Sequence, residues 1–139
     1  MEITANAIQT VEENQNILFT DTPVCGNNSM LHRDGSGLVT LRGITKQCRA
    51  RFKVTFNANI AIPAGGTVEE ISVAIATNGE AVGPTIARVT PAADEEFWNV
   101  SSSVFLNIPC GCCSQISVQN ISGQAILIQN ANLIIERVA

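Results

Sequence analysis

Residues 47–57 read QCRARFKVTFN, and their alternation decides the fold class. Cys48, Ala50, Phe52, Val54 and Phe56 fall on one side; Arg49, Arg51, Lys53 and Thr55 fall on the other. Successive side chains of an extended strand point to opposite faces, whereas a helix would scatter these residues around its circumference. The stretch is therefore a half-buried β-strand with one apolar face and one cationic face.

The same rhythm extends outward in both directions. Upstream, Ile17–Thr20 and Leu38–Leu41 read as strands, with a shorter one at Met30–His32, punctuated by Asp21-Thr22-Pro23, Cys25–Asn28 and Asp34–Gly37. Downstream, a loop is expected over Ile60–Thr67 and strands over Val68–Thr77, Ala81–Val89, Trp98–Ile108, Ile116–Asn120 and Ala125–Val138. Asn78-Gly79 marks a tight hairpin, because a type I′ turn needs positive φ at both central positions. The sequence thus predicts about eight to ten strands without a helix, the spacing of an antiparallel β-sandwich or jelly roll.

Two segments depart from half-burial. In the last strand Ile126, Leu127, Ile128, Leu133, Ile134 and Ile135 are apolar at odd and even positions alike. A strand apolar on both faces is covered on both faces. In a two-layer sandwich that cover comes from a loop or another subunit, and we expect a subunit, with Ile126, Ile128, Leu133 and Ile135 at the oligomer interface. Residues 1–16 are only weakly periodic, with Ile3, Ala5 and Ala7 spaced by two. They read as an N-terminal arm or an edge strand preceding a sandwich domain over 17–139. Such an arm can add to an exposed sheet edge of another protein, so Ile3 and Ala5 are candidate partner contacts. Arg49, Arg51 and Lys53 are a second candidate contact set, suited to an acidic neighbour.

Composition narrows the function classes. A chain of 139 residues favours one domain, with roughly two-thirds of its unfolded surface buried. Hydrophobic residues make up 45% and charged residues 14%, with a mean hydropathy of +0.21, and that surplus suggests subunit contacts. No apolar run approaches the ~18 residues of a membrane span. A net charge of −4 argues against bulk nucleic-acid binding. The polar start MEITANAIQTVEENQN has neither a basic nor an apolar leader region, so cytoplasmic synthesis is expected.

The chemistry-bearing residues read mostly as structural. Cys110, Cys112 and Cys113 form a thiol cluster in a CGCC tract, beside Cys25 and Cys48. Zinc sites usually show two separated cysteine pairs, so reduced, small side chains packed near a turn are expected instead of a metal, with a disulfide within or between chains as the alternative. His32 is the sole histidine and has no G-x-S-x-G elbow, so a surface polar triplet with Arg33 and Asp34 is expected. Asp94-Glu95-Glu96 and Glu69-Glu70 lack the spacing of a calcium loop. Asn27, Asn99 and Asn120 open glycosylation sequons that read as chance matches without an export signal. No acid–base pair, nucleophile set or phosphate loop is visible, so neither catalysis nor a cofactor is expected.

LVTLRG, RARFKVTFN, VAIATNGE, NVSSSVFLNIP, ISVQN and NANLIIERV follow one another in a layout that resembles the C1q/TNF-like jelly rolls. It is most similar to the heads of bacterial collagen-like surface proteins and phage fibres. Phe52–Phe56 matches the family's central strand, Asn78-Gly79-Glu80 its hairpin, and Ala131, Leu133, Ile135 and Arg137 its closing strand. The likeness covers residues 36–138. The whole chain also resembles small proteins encoded near capsid genes in phages and prophages of Gram-positive gut bacteria. That resemblance implies a homotrimer acting as a capsid decoration or head-fibre protein on the virion surface. Its partners would be the major capsid protein or another virion protein. The alternatives are a fibre tip binding a receptor or cell-surface glycan, and a bacterial surface or spore-coat jelly roll.

Overall fold

A computed structural model describes residues 1–139 as twelve strands and one short 3-10 turn. In chain order the strands are β1 (Glu2–Ala5), β2 (Gln9–Val11), β3 (Asp21–Val24), β4 (Met30–His32), β5 (Val39–Arg42) and β6 (Arg49–Ala61). They continue as β7 (Ile71–Thr77), β8 (Glu80–Ala81), β9 (Ala87–Val89), β10 (Trp98–Pro109), β11 (Cys113–Asn120) and β12 (Ile126–Arg137). Two antiparallel sheets face each other. The first runs β10-β6-β12-β1-β3, with β2 also on β12; the second runs β4-β5-β11-β7-β8, with β9 also on β7. This is the expected all-β jelly-roll sandwich.

β6 supplies the centre of the core. Ala50, Phe52, Val54, Phe56, Ala58 and Ile60 are all buried, while Arg49, Arg51 and Lys53 are exposed on the opposite face. The alternation continues past Asn57 to Ala61, four residues beyond the stretch that announced it. The loop expected to start at Ile60 therefore begins later, and Ile60, Ala61 and Ile62 are buried. Across the sandwich the core is closed by Val39, Leu41, Ile71, Val73, Ile75, Ile116 and Val118.

Three expectations are corrected. The first concerns β12. Ile126, Ile128, Leu133 and Ile135 are not at an oligomer interface; all four are fully buried in the chain's own core. The cause is a β-bulge. Pairing with β6 runs Ile128↔Ile60 and Gln129↔Asn59, then resumes one residue out of step at Asn132↔Asn57. Asn130 takes the extra position with φ 53°, a left-handed conformation that asparagine tolerates. The bulge moves the inward positions from even to odd numbers, so apolar residues of both parities reach one face. Only Leu127 and Ile134 face out, both partly buried.

Secondly, residues 1–16 form strands of the sandwich, as in the alternative expected of them, and not an arm. β1 lies inside the first sheet between β12 and β3, with Ile3 opposite Leu133. Ile3 and Ala5 are buried, so their side chains are not free to contact a partner. Thirdly, Ile17–Thr20 is not a strand. Its backbone crosses between the sheets, with Ile17 N–H donating to Val118 O at 2.9 Å and Phe19 N–H to Ser36 O at 3.2 Å. Ile17 and Phe19 nonetheless enter the core.

Buried polar groups close the gaps in the ladders. The edge beside β7 is broken between β8 and β9 by the Gly83–Thr85 turn. Thr85 fills the break: its buried Oγ1 accepts from Ile75 N–H at 3.0 Å and lies 2.7 Å from Val82 O. Asn120, read as part of a chance sequon, is fully buried. Its amide donates to Val11 O and Gln124 O, each at 2.9 Å, so β11 is tied to β2 and to the turn before β12.

Phe52→Ala should destabilise the fold by about 3–5 kcal/mol in denaturant unfolding, because it opens a cavity that the rigid sheets cannot fill. Thr85→Val keeps the volume but leaves Ile75 N–H unpaired in the interior. A loss of about 1–3 kcal/mol is expected in the same measurement.

Candidate functional site

The outward face of the first sheet is built on its three longest strands, β6, β10 and β12. The register places it in rows across β10, β6 and β12. Asn99, Asn59 and Gln129 form one row, Ser101, Asn57 and Asn132 the next, and Ser103, Thr55 and Ile134 the third. These nine positions carry no charge. The asparagines interlock, with Asn99 Nδ2 donating to Asn57 Oδ1 at 2.8 Å and to Asn59 Oδ1 at 3.1 Å. Thr55 Oγ1 and Ser103 Oγ are 3.3 Å apart, and Asn132 Nδ2 donates to Glu2 Oε2 at 3.1 Å.

Apart from Glu2, which flanks these rows from β1, charge lies at one end of this face. The next row holds Phe105, Lys53 and Glu136, followed by Asn107 beside Arg51 and then Pro109 beside Arg49. Phe105 is 60% exposed. Arg49, Arg51 and Lys53 make no ion pair, whereas Arg88 pairs with Glu70 at 3.5 Å. Arg51 is held by Asn107, whose Oδ1 accepts from Nε at 3.3 Å. The expected cationic ladder is thus present and accessible, whereas Ile3 and Ala5 lie on the other side of the same sheet.

Beyond the cationic row lie the thiols. Two connections between the sheets meet there: residues 43–48, linking β5 to β6, and residues 110–112, linking β10 to β11. Gly43 N–H donates to Cys112 O at 2.8 Å, and Gly111 N–H donates to Gly43 O at 3.0 Å. Cys110, Cys112 and Cys113 are exposed, contrary to the expectation of small packed side chains, and Cys48 joins them at this end. A hollow of about 260 Å³ between Arg42, Ile44, Cys112 and Cys113 opens here. The sequence reading missed Cys48 because only the β6–β10 register carries it to the CGCC turn.

His32 is not at the surface. Its side chain is fully buried, with Nδ1 3.3 Å from Thr22 Oγ1 and Nε2 donating to Ser36 O at 3.0 Å. Thr22 Oγ1 in turn donates to Asp34 Oδ1 at 2.7 Å. In a nucleophilic triad the imidazole stands between hydroxyl and carboxylate; here the hydroxyl stands between imidazole and carboxylate. The arrangement clasps β3, β4 and the turn after β4. The largest hollow, about 370 Å³, lies over Leu31, Leu38, Thr40 and Gln115, with this committed histidine at its margin. Of the carboxylates, Asp94 accepts from Gly65 N–H at 3.2 Å and Glu96 accepts from Trp98 Nε1 at 2.6 Å, both within the loop before β10.

No protein-family model matches the sequence, and no curated protein matches it. Solved structures do. The globular domain of zebrafish complement 1qA protein superposes with a TM-score of 0.63 at 12% identity, over 96% of this chain and 93% of that one. The Eiger TNF of S. frugiperda gives a TM-score of 0.69 at 11% identity, over 100% of this chain and 92% of that one. At such identities the likeness establishes the fold, a C1q/TNF-like jelly roll spanning the chain.

The close approach of the two connections yields a sharp test. A Cβ on Gly43 would lie 2.0 Å from Pro109 O, which is backbone and cannot swing aside. Gly43→Ala should therefore cost stability at the upper end of about 1–3 kcal/mol. Gly83→Ala, where nothing lies within 4 Å, should leave the melting temperature unchanged.

Proposed function

We propose that this protein is a non-catalytic structural jelly roll that assembles as a homotrimer through the outward face of its first sheet and decorates the surface of a virion, as a capsid decoration or head-fibre protein. One observation carries the assembly: the uncharged rows across β10, β6 and β12. A monomer surface is normally laced with charge, and charge is depleted where proteins bury a face against each other. Here nine adjacent outward positions carry none, and Leu127 and Ile134 add apolar area. Asparagine, serine and threonine at these positions can pair with a second copy without leaving a buried ion unpaired.

The charges flanking this face fit the same reading. Arg49, Arg51 and Lys53 make no ion pair, and only Lys53 has a carboxylate, Glu136, opposite it, while Asp94, Glu95 and Glu96 lie in the loop before β10. Lys53 lies opposite Phe105 and Arg49 opposite Pro109, towards the other end of β10 from that loop. A neighbouring copy can therefore set its acidic loop against this cationic row. Any cations left uncovered suit an acidic patch on a capsid protein. The virion setting is supported by the chain's resemblance to small proteins encoded near capsid genes.

Light scattering at micromolar concentration should return three times the 14.7-kDa chain mass. A single-chain mass would overturn the assembly. Thr55→Arg, on the central strand of the uncharged rows, should give a folded monomer with unchanged circular dichroism. Wild-type protein should co-sediment with capsids that lack it, and its failure to do so would overturn the virion role while leaving the trimer standing.

A further inference from the structure

The β6–β10 ladder ends with Pro109 opposite Arg49. One step further brings Cys110 opposite Cys48, and Cys110 N–H donates to Cys48 O at 3.0 Å. We propose that Cys48 and Cys110 are a site of reversible covalent modification, an intrachain cross-strand disulfide formed by exchange with a small-molecule disulfide.

The backbone hydrogen bond sets these two cysteines side by side across the end of the ladder. Directly opposite residues of an antiparallel pair project their Cβ atoms on the same face. One backbone hydrogen bond joins Cys110 to Cys48 just beyond the last ladder pair, and disulfides bridge Cα atoms roughly 4.4–6.8 Å apart. Both thiols are exposed, so a reagent can reach them. The Cys110 thiol donates to Thr45 O at 3.2 Å, so it leans over the segment that leads into Cys48. The bonds between Gly43, Gly111 and Cys112 hold the two segments together before any covalent link forms.

The other cysteines are placed differently. Cys113 lies in the β11–β5 ladder opposite Arg42. Cys112 is the preceding residue, and its carbonyl is committed to Gly43 N–H. Cys25 follows β3, three strands from β6 across the first sheet.

The chemistry balances with a glutathione-type disulfide as oxidant. One protein thiolate attacks the reagent, whose S–S bond breaks to form a mixed disulfide and release one glutathione. The second protein thiolate attacks the protein sulfur of that mixed disulfide and releases the other glutathione. Two protein thiols are oxidised, the reagent is reduced to two thiols, and the two protons leave with them. The link restricts the unfolded chain and so raises the stability of the folded one.

The test incubates the full-length protein with oxidised glutathione, alkylates free thiols and maps the peptides without reduction. The expected result leaves three of the five thiols free and joins the Cys48 peptide to the Cys110 peptide. The melting temperature should rise by about 10 °C and return after dithiothreitol. Cys48→Ser and Cys110→Ser, both at exposed positions, should melt like the reduced wild type and lose the shift; Cys112→Ser should retain it. Pairing that involves Cys112 or Cys113, cross-links only between chains, or stable glutathione adducts on both cysteines would overturn the proposal. The mapping is done on the wild type, so it does not depend on any variant folding.

Discussion

β6 is hydrogen-bonded along both flanks, to β10 from Arg49 to Ile60 and to β12 from Phe52 to Ala61. A strand held on both sides cannot slip, because a one-residue shift would send Phe52, Val54 and Phe56 to the outer face. Everything else is placed by that fixed register. It sets which residues of β10 and β12 face the core, and it separates the uncharged rows from the cationic row. It also brings Cys110 opposite Cys48. The apolar side of β6 makes the fold and its polar side makes the surface, so one alternation serves both.

The strands of the first sheet were legible because their periodicity is long. Six alternating buried residues of β6 outweigh any local irregularity, and β10 and β12 were placed to within a residue or two of their ends. β12 was misassigned to an interface because a bulge leaves no trace in residue parity except the identity of Asn130. Asparagine is common enough in polar turns that Gln129-Asn130-Ala131-Asn132 read simply as polar. Ile3 and Ala5 were misjudged for a different reason. Four residues carry too little periodicity to show burial, and the partner strand that buries them lies near residue 133.

Side-chain roles that depend on long-range contacts were the least legible. His32 lies beside a turn in sequence, yet it is buried because Thr22 and Ser36 converge on both ring nitrogens. Asn120 matched a glycosylation sequon and is instead a fully paired amide in the interior. In both cases a polar residue occupies the interior because polar partners from distant parts of the chain meet it there. The uncharged outward rows were half legible: Asn57 and Asn59 continue the alternation of β6, but only the pairing shows Asn99 and Ser101 beside them.

The order of strands in the first sheet has a consequence for synthesis. β6 and β10 are made well before β12, yet β12 lies between β6 and β1. Until residue 137 has left the ribosome, one flank of β6 has no partner and β1 has nothing to pair with on its inner side. The nascent chain therefore carries a long, apolar, unpaired edge from the emergence of β6 to that of β12. Such edges attract other chains, so the time between the emergence of β6 and of β12 is when this protein most needs a chaperone.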